Sequence, residues 1–264
     1  MATPGVRILF LADVFGSPGR RLLEQRLPSL REELSIDFCL VNAENVSNGA
    51  GLTPRHAERI LAAGADAITL GNHVWRRQEI VSYLATSERV VRPANLSRFS
   101  PGRGMSVLQT ADGTNVAVIS LLGALFMNAA CGPFEIVDGL VEEASRSASI
   151  VLVDFHAEAT SEKVGLARWL DGRVTAVFGS HTHVQTNDAR VLAGGTAAIT
   201  DAGMTGPHDS VIGVRAELAI ERMRTGMYVR FEPAEGGVRI EGALVECDTS
   251  GRALSCAAIR FPTE

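Results

Sequence analysis

Side chains that can bind metal ions follow five apolar runs of this sequence, in each case at the point where the run ends. They are Asp13 after RILFLA, Glu44 and Asn45 after FCLVNA, Asn72 and His73 after AITLG, His156 after IVLVDF, and His181 and His183 after AVFGS. If each run is a strand of an open α/β sheet, these residues lie at the carboxyl ends of the strands, where such sheets bind ligands. The pattern therefore predicts one shared cleft.

The types of these residues favour one class of metal ion. Carboxylate and amide oxygens together with imidazole nitrogens, and without thiolates, favour iron, manganese and similar ions over zinc in a thiolate site. Seven such ligands are too many for one tetrahedral ion. They are about right for two ions that share a carboxylate and are completed by water, so the residues predict a two-metal centre.

Each of these residues also has a purely structural explanation. An aspartate after a strand, such as Asp13, is commonly a helix cap or a turn residue, and Asn72 could be a turn residue with positive φ. His156 could be a hydrogen-bonded interior histidine. His181 and His183 would face one site if their segment is extended, because alternate residues of a strand point the same way. One functional site explains five polar clusters at five strand ends better than independent coincidences do.

The elements that must position these residues alternate along the chain. Apolar runs bounded by glycine and polar residues predict strands over residues 7–13, 38–42, 67–70, 116–122, 150–155 and 175–179. Helical patterns predict helices over 19–27, 54–63, 134–147 and 161–170, and the second of them has Thr53 as a suitable N-cap before Pro54. Beyond Ala189 strand patterns dominate, at 227–231 and 238–247, with a helix at 216–224. The alternation predicts an α/β fold with a mixed sheet or two packed sheets.

Length and composition exclude several classes of protein. With 264 residues, 46% of them hydrophobic and 21% charged, the chain is predicted to form a single domain over residues 1–264. It has no run of about 18 apolar residues and no signal-like start, so we expect a cytoplasmic protein without a membrane span. A net charge of -5 provides no basic footprint for long nucleic acids, whereas a small anionic substrate drawn to local metal charge is compatible with it.

The four cysteines give no sign of a metal knuckle or a disulfide framework. Cys39, Cys131, Cys247 and Cys256 form no CxxC pattern. We therefore expect buried free thiols at these positions.

Four motifs resemble those of the calcineurin-like metallophosphoesterase superfamily. They are Asp13 at an early strand end, Gly71-Asn72-His73, the lone His156, and Gly179-Ser180-His181-Thr182-His183. The superfamily's DxH and GDxxD elements are absent, since Phe15 stands in place of the first histidine and Glu44 in place of the bridging aspartate. With these departures, the segments DVFGSPGR, VNAENVSNGAGLT, TLGNHVW, VDFHAEATSEK and GSHTHVQTND are similar to the YmdB-type branch of bacterial metallophosphoesterases.

The resemblance extends over residues 7–213 and implies a four-layer α-β-β-α sandwich with a di-iron or manganese centre. It implies hydrolysis of small phosphodiesters, including 2′,3′-cyclic AMP. Asp13, Glu44, Asn45 and His183 would bind one metal, and Glu44 would bridge to a second that is bound also by Asn72, His156 and His181. After a metal-bridging hydroxide attacks phosphorus in line, His73 would act as general acid and protonate the leaving ribose oxygen.

Two rival functions use the same residues. One is another metal hydrolase, acting on a phosphomonoester or at a carbon centre, and the other is a regulatory binding module of RNA metabolism. The full ligand set argues against a module that only binds, because binding alone would not require His73 beside two metals. The sequence leaves the oligomeric state open, including a homo-oligomer.

Some polar residues have roles that the sequence does not decide. Residues 16–20, GSPGR, could bind phosphate or simply enter a helix, and the role of Arg20 depends on which is true. Arg92 and Asn95 could contact substrate or belong to a turn enforced by Pro93. His208 could line the cleft or brace a loop.

Overall fold

Two β-sheets packed face to face, with helices on the outer face of each, make up the fold. The computed structural model describes residues 5–262. Apolar side chains fill three layers, one between the two sheets and one between each sheet and its helices. The protein is therefore the four-layer α-β-β-α sandwich that the resemblance implied, and the predicted α/β class is confirmed.

Thirteen strands are present in the described part of the chain. In chain order they are β1 (Val6–Leu11), β2 (Phe38–Asn42), β3 (Ala67–Thr69), β4 (Val90–Val91), β5 (Met105–Gln109), β6 (Asn115–Leu122), β7 (Ile150–His156), β8 (Ala176–Ser180), β9 (Arg190–Val191), β10 (Ala197–Ile199), β11 (Gly206–Pro207), β12 (Val238–Cys247) and β13 (Ala253–Pro262). The first sheet has the order β11-β12-β1-β2-β3-β4, with β13 paired to β12, and the second has the order β5-β6-β7-β8-β10-β9.

Parallel pairing brings the candidate residues to one edge of the sandwich. Strands β1 to β4 run parallel to one another, and so do β6, β7, β8 and β10. The carboxyl ends of parallel strands share an edge, so the loops after β1, β2, β3, β7 and β8 converge there. The sequence predicted each of these five strands to within one or two residues.

The layer between the sheets fixes how the two halves of that edge face each other. Phe10 of β1 stacks on Phe178 of β8, with ring centroids 4.6 Å apart and planes inclined by 15°. Both side chains are fully buried. Burial of one such aromatic side chain is worth about 1.5–3 kcal/mol, and the stacking adds orientation to that burial. The two strand ends that follow, at Asp13 and His181, are thereby held side by side.

Six α-helices of the described chain cover the outer faces of the sheets or flank the candidate site. They are α1 (Gly16–Glu33), α2 (Pro54–Ala62), α3 (Ile80–Thr86), α4 (Pro133–Ser145), α5 (Thr160–Trp169) and α6 (Ala216–Thr225). Helix α2 begins as predicted, because the Thr53 hydroxyl accepts a hydrogen bond from the His56 N–H at 3.3 Å and Pro54 follows. Within residues 5–262, no helix is both long and apolar enough to cross a membrane.

Helix α1 is longer at both ends than the predicted 19–27. Pro28 lies inside the helix, although a proline there removes one helical hydrogen bond. The helix nevertheless continues to Glu33, because Leu27 and Leu30 on either side of Pro28 are fully buried against the first sheet. Packing of the apolar face outweighs the local cost of the proline.

The strand predicted over residues 227–231 is wrong. The segment pairs with no strand, and its neighbours form isolated contacts instead: the Arg215 N–H donates to the Glu232 carbonyl, and the Ala234 N–H donates to the Gly213 carbonyl. Tyr228 is 85% exposed, so the apolar and aromatic residues of this segment do not face a core. Their alternation with polar residues resembles that of a strand, but the segment runs along the cleft described below.

The four cysteines are free, as predicted, but only two of them are buried. Cys39 and Cys247 lie in the core, whereas Cys131 and Cys256 are partly exposed. Burial raises the pKa of the Cys247 thiol to about 12. The prediction of buried thiols is thus right for the first two and wrong for the other two, since Cys131 lies in a loop and Cys256 on the edge strand β13.

Candidate metal centre

Four of the predicted ligands direct their polar atoms to one point at the shared edge. His156 Nε2 lies 3.1 Å from Glu44 Oε1, 3.1 Å from His181 Nδ1 and 3.0 Å from Asn72 Oδ1. The ligand atoms of Glu44, His156 and His181 all lie within 4.8 Å of one another. Such convergence of an acid, an amide and two imidazoles is the geometry of a site that can bind a cation.

The other three predicted ligands form a second group beside the first. His183 Nε2 lies 3.4 Å from Asp13 Oδ2 and 3.0 Å from Asn45 Nδ2. Asp13 connects the groups, because its Oδ2 accepts the backbone N–H of His181 at 2.7 Å and its Oδ1 lies 4.0 Å from His156 Nδ1. The structure therefore brings all seven residues together in two adjoining groups.

Two carboxylate oxygens in these groups are incompletely paired. Asp13 and Glu44 are both fully buried, and within the described residues Asp13 Oδ1 has no hydrogen-bond partner, whereas Glu44 Oε1 faces only the ring nitrogens of His156 and His73, at 3.1 and 3.2 Å. A buried carboxylate oxygen without a hydrogen-bond donor is destabilising, and a bound cation removes that cost. The donor set, two acids with amides and imidazoles and no thiolate, fits a transition-metal ion.

The pKa values of the site reflect the crowding of acids and imidazoles. Burial, with the nearby Asp201 and Glu44 carboxylates, raises the pKa of Asp13 to about 8. Burial and the charge of His156 lower the pKa of His181 to about 3. Burial also lowers the pKa of His156, but the carboxylates of Glu44 and Asp13 outweigh the effect of burial and raise the pKa of His156 to about 9. A metal ion would take the place of the protons that Asp13 and His156 otherwise hold, since ligands bind in their deprotonated forms.

The loop that carries His181 and His183 is bent, which corrects one expectation. Both residues have positive φ, 99° and 65°, so the segment is not the extended strand that would have made the two side chains parallel. Asp13 also has positive φ, at 29°. Positive φ costs a residue other than glycine on the order of 1–3 kcal/mol, and such strain persists where the surrounding contacts over-determine it.

A buried ion pair holds that bent loop. Asp201 Oδ2 accepts hydrogen bonds from the Thr182 N–H at 3.1 Å and from the Thr182 hydroxyl at 2.7 Å. The same oxygen is 2.8 Å from Nζ of Lys163, and both charged side chains are buried. Lys163, the chain's single lysine, therefore serves to fix the residue between the two histidines.

Hydrogen bonds behind His156 orient its ring. The Ser180 hydroxyl donates to Asp154 Oδ1 at 2.6 Å, so its oxygen can accept the Nδ1–H of His156, 2.9 Å away. Asp154 is itself held by Asn42 at 2.9 Å and by Thr69 at 2.5 Å. This arrangement leaves Nε2 of His156 as the nitrogen with a free lone pair, as a metal ligand requires.

Ser180→Ala is expected to lower metal affinity by about 10- to 100-fold, the usual effect of losing an outer hydrogen bond to a metal-binding histidine. The substitution removes the acceptor of the His156 Nδ1–H without touching a predicted ligand. Competition with a chelator measures the affinity. The matched control is Ser106→Ala, another buried serine, whose hydroxyl bonds the Glu88 carbonyl away from the site. Equal metal affinity in the two variants would show that Ser180 does not orient His156.

A second chain of hydrogen bonds reaches His73. The Nδ1–H of His183 donates to the Ile212 carbonyl at 2.9 Å, so His183 Nε2 accepts from Asn45 Nδ2. Asn45 Oδ1 in turn accepts from His73 Nδ1 at 2.7 Å, and Glu44 Oε1 is 3.2 Å from the same nitrogen. Burial lowers the pKa of His183, which favours its neutral form. His73 is thus fixed through Nδ1, and its side chain, 26% exposed, keeps Nε2 for other contacts.

The two groups open into a cleft of about 720 Å³. Its lining includes Glu44, Asn45, His73, His181 and His183. Much of the remaining lining comes from the segment before α6, from α6 itself and from residues 228–233, and Arg76 and Glu158 also contribute. The size falls within the roughly 300–1,000 Å³ typical of small-molecule sites.

The other polar residues that the sequence left open are structural. The guanidinium of Arg92 donates to the carbonyls of Pro93, Ser100 and Pro101, and the Asn95 amide bonds both backbone groups of Leu122. These contacts favour a role of Arg92 and Asn95 in the turn at Pro93 over a contact with substrate.

The same holds for the two remaining candidates. His208 Nε2 lies 3.1 Å from the Met204 carbonyl and braces that loop. Residues 16–20 form the first turn of α1, where the Gly16 N–H already donates to the Asn45 carbonyl, and Arg20 pairs with Glu24. These contacts therefore favour a simple start of helix α1 over a phosphate-binding loop at residues 16–20.

Sequence reasoning missed the residues that support the candidate ligands. Asp154 and Asn42 stand within apolar strand runs, where a buried polar residue is unusual and signals a hydrogen-bonded role. Ser180, Lys163 and Asp201 carry no comparable signal, since their partners lie far away in the chain.

Known proteins resemble this chain over nearly its whole length. The sequence profile of the family described as YmdB-like protein matches residues 9–259. A Bacillus subtilis (strain 168) protein named 2′,3′-cyclic-nucleotide 2′-phosphodiesterase is 44% identical over 243 residues, 92% of this chain and 92% of that protein.

Two solved structures share the fold. A hypothetical protein from Thermus thermophilus is 39% identical, with a TM-score of 0.92 over 98% of this chain and 100% of that one. A novel phosphatase from Mycoplasma pneumoniae is 34% identical, with a TM-score of 0.91 over 98% of this chain and 94% of that one. The chain therefore belongs to the YmdB-like protein family, as its motifs predicted.

Proposed function

We propose that the protein is a two-metal phosphodiesterase that hydrolyses 2′,3′-cyclic nucleotides at the bond between phosphorus and O2′. The observation that carries the proposal is the pair of buried carboxylate oxygens, Asp13 Oδ1 and Glu44 Oε1, that lie among converging imidazoles and amides, the first of them with no hydrogen-bond partner in the described residues. The choice of substrate is supported by the name of the Bacillus subtilis relative and by 44% identity to it.

The two groups of side chains suggest how two ions would be held. One ion would be bound by Asp13, Glu44, Asn45 and His183, and the other by Glu44, Asn72, His156 and His181. In the structure Asn45 directs Nδ2 to His183 and Oδ1 to His73, so its amide would turn over to offer Oδ1 beside His183. The oxygen and nitrogen ligands favour iron, with manganese as the alternative.

In this mechanism the chain's own residues bind, orient and transfer a proton. Bound ions would supply positive charge for the phosphoryl oxygens and lower the pKa of water. One water adds to phosphorus, the bond to O2′ breaks, and a nucleoside 3′-phosphate is released. His73 would donate the proton that O2′ needs from Nε2, because its Nδ1 faces the Asn45 amide at 2.7 Å and Glu44 Oε1 at 3.2 Å.

Metal analysis of anaerobically purified protein, combined with a nucleotide panel, tests the proposal. We expect two transition-metal ions per chain and a higher kcat/KM for 2′,3′-cyclic than for 3′,5′-cyclic nucleotides. One ion or none in active protein would overturn the two-metal assignment. Preferential turnover of p-nitrophenyl phosphate over every diester would favour the monoesterase alternative. A single domain and a cytoplasmic location remain predictions.

A further inference from the structure

The mouth of the cleft is lined by a wall that the proposed reaction does not use. This outer wall consists of Arg222 on α6 and residues 228–232, and Arg76 after the His73 loop also lines the cleft. The metal-binding candidates Asp13, Glu44 and His156 are fully buried, whereas Tyr228 is 85% and Phe231 40% exposed. The cleft therefore runs from the buried candidate metal centre to an exposed aromatic and cationic surface.

The outer wall is fixed at both of its ends. Gly226 caps the end of helix α6, and its φ of 69° turns the chain back along the cleft. At the other end the Arg215 N–H donates to the Glu232 carbonyl at 3.0 Å, and the Ala234 N–H donates to the Gly213 carbonyl at 2.9 Å. The Arg222 guanidinium stacks over the Phe231 ring, 4.9 Å from its centroid. A wall held in this way can present side chains in a defined arrangement.

The positive charge of the outer wall is not neutralised by the protein. Among residues 5–262, Arg76, Arg222 and Arg230 have no carboxylate within 4.0 Å. Of the two outer acids of the cleft, Glu232 pairs with Arg215 at 3.0 Å, and Glu158 lies 3.1 Å from Nε2 of the neutral His181, away from the three arginines. In a chain with a net charge of -5, unpaired arginines at one cleft indicate an anionic ligand.

A cyclic mononucleotide does not account for this wall. It has one phosphate, which the proposed function places at the buried metal centre. Arginine beside an exposed aromatic ring is the combination that binds single-stranded nucleic acid, where arginines contact phosphates and rings stack on bases. A cleft of about 720 Å³ lies in the upper part of the range for small ligands. The wall therefore fits a substrate with a second phosphate and a second base.

We infer that the substrate is a short oligonucleotide whose 3′ end is a 2′,3′-cyclic phosphate. The terminal cyclic phosphate enters the metal centre, the next phosphodiester lies at Arg222 and Arg230, and a base stacks on Tyr228. This inference rests on the proposed function and extends it to a substrate class. Only one or two further phosphates are bound, which agrees with the absence of a basic footprint for long nucleic acids.

Steady-state kinetics with a dinucleotide and a mononucleotide, both ending in a 2′,3′-cyclic phosphate, test the inference. We expect kcat/KM to be about tenfold or more higher for the dinucleotide, since an arginine contact to a phosphate is charge-assisted and stronger than a neutral hydrogen bond. Arg222→Gln combined with Arg230→Gln should bring this ratio to within about twofold of one. Arg224→Gln, an exposed arginine of α6 outside the cleft, should keep the ratio of the natural protein.

Binding of the dinucleotide product, which ends in a 3′-phosphate, provides a second measurement that needs no turnover. Fluorescence anisotropy should show weaker binding in the double variant, weaker binding in Tyr228→Leu, and no change in Arg224→Gln. Turnover of the mononucleotide with no preference for the dinucleotide would overturn the inference and leave the proposed function intact. Failure of the metal-loaded protein on both substrates would refute the proposed function, and unchanged product binding in the double variant would refute the role of the outer wall.

Discussion

Glu44→Gln is expected to remove both metal ions and to abolish turnover. Glu44 Oε1 is buried, 3.1 Å from His156 Nε2 and 3.2 Å from His73 Nδ1. The substitution keeps the size of the side chain but removes the negative charge that the two ions would share. Breaking one side of a buried charge pair costs about 3–5 kcal/mol, which lowers the affinity for each ion by about a hundredfold or more. Elemental analysis after dialysis measures the bound ions.

The control for this prediction is another glutamate of the same cleft. Glu232 lies on the outer wall, where it pairs with Arg215, so Glu232→Gln should keep both ions. Loss of a single ion from Glu44→Gln, with the affinity of the other unchanged, would make Glu44 a terminal ligand. The distinction matters because only a bridging carboxylate couples the two binding events.

The candidate site could be predicted from the sequence because parallel strands place their carboxyl ends at one edge. Asp13, Glu44 and His156 each end an apolar run, and the order of runs and helices is enough to bring them together without knowledge of contacts. The residues that hydrogen-bond these side chains from behind cannot be found from the ends of strands. Ser180 is identified as a support of His156 only when its 2.6 Å bond to Asp154 is known.

The cleft walls were less predictable because their conformation depends on tertiary contacts. The bend at His181 follows from the bonds of Thr182 to Asp201, 19 residues away along the chain. The segment 227–231 has strand-like composition but no available strand beside it, so it stays unpaired at the cleft mouth. Local patterns predict elements whose apolar face meets a core, and neither segment has one.

His73→Ala is expected to keep both metals and to lower turnover of a 2′,3′-cyclic nucleotide by about 100- to 10,000-fold, the usual contribution of positioned proton transfer. The expectation follows from the contacts of the ring, because Nδ1 faces the Asn45 amide and Glu44 Oε1, which leaves Nε2 for the substrate. Asn72→Ala should instead lose metal, since Asn72 Oδ1 points at His156 Nε2. His56→Ala provides a control, because His56 bonds Ser47 outside the cleft lining.

Two substrates with different leaving groups test whether His73 acts as a general acid. A ribose alkoxide needs a proton to depart, whereas p-nitrophenolate leaves readily without one, so His73→Ala should lose much less activity on bis-p-nitrophenyl phosphate than on the cyclic nucleotide. Equal losses on both substrates, with both metals retained, would mean that His73 stabilises phosphoryl charge or positions the substrate. Loss of metal from His73→Ala would instead make it a ligand. Because the two substrates share the phosphoryl centre and differ in the leaving oxygen, their ratio isolates the proton transfer from every other role of the residue.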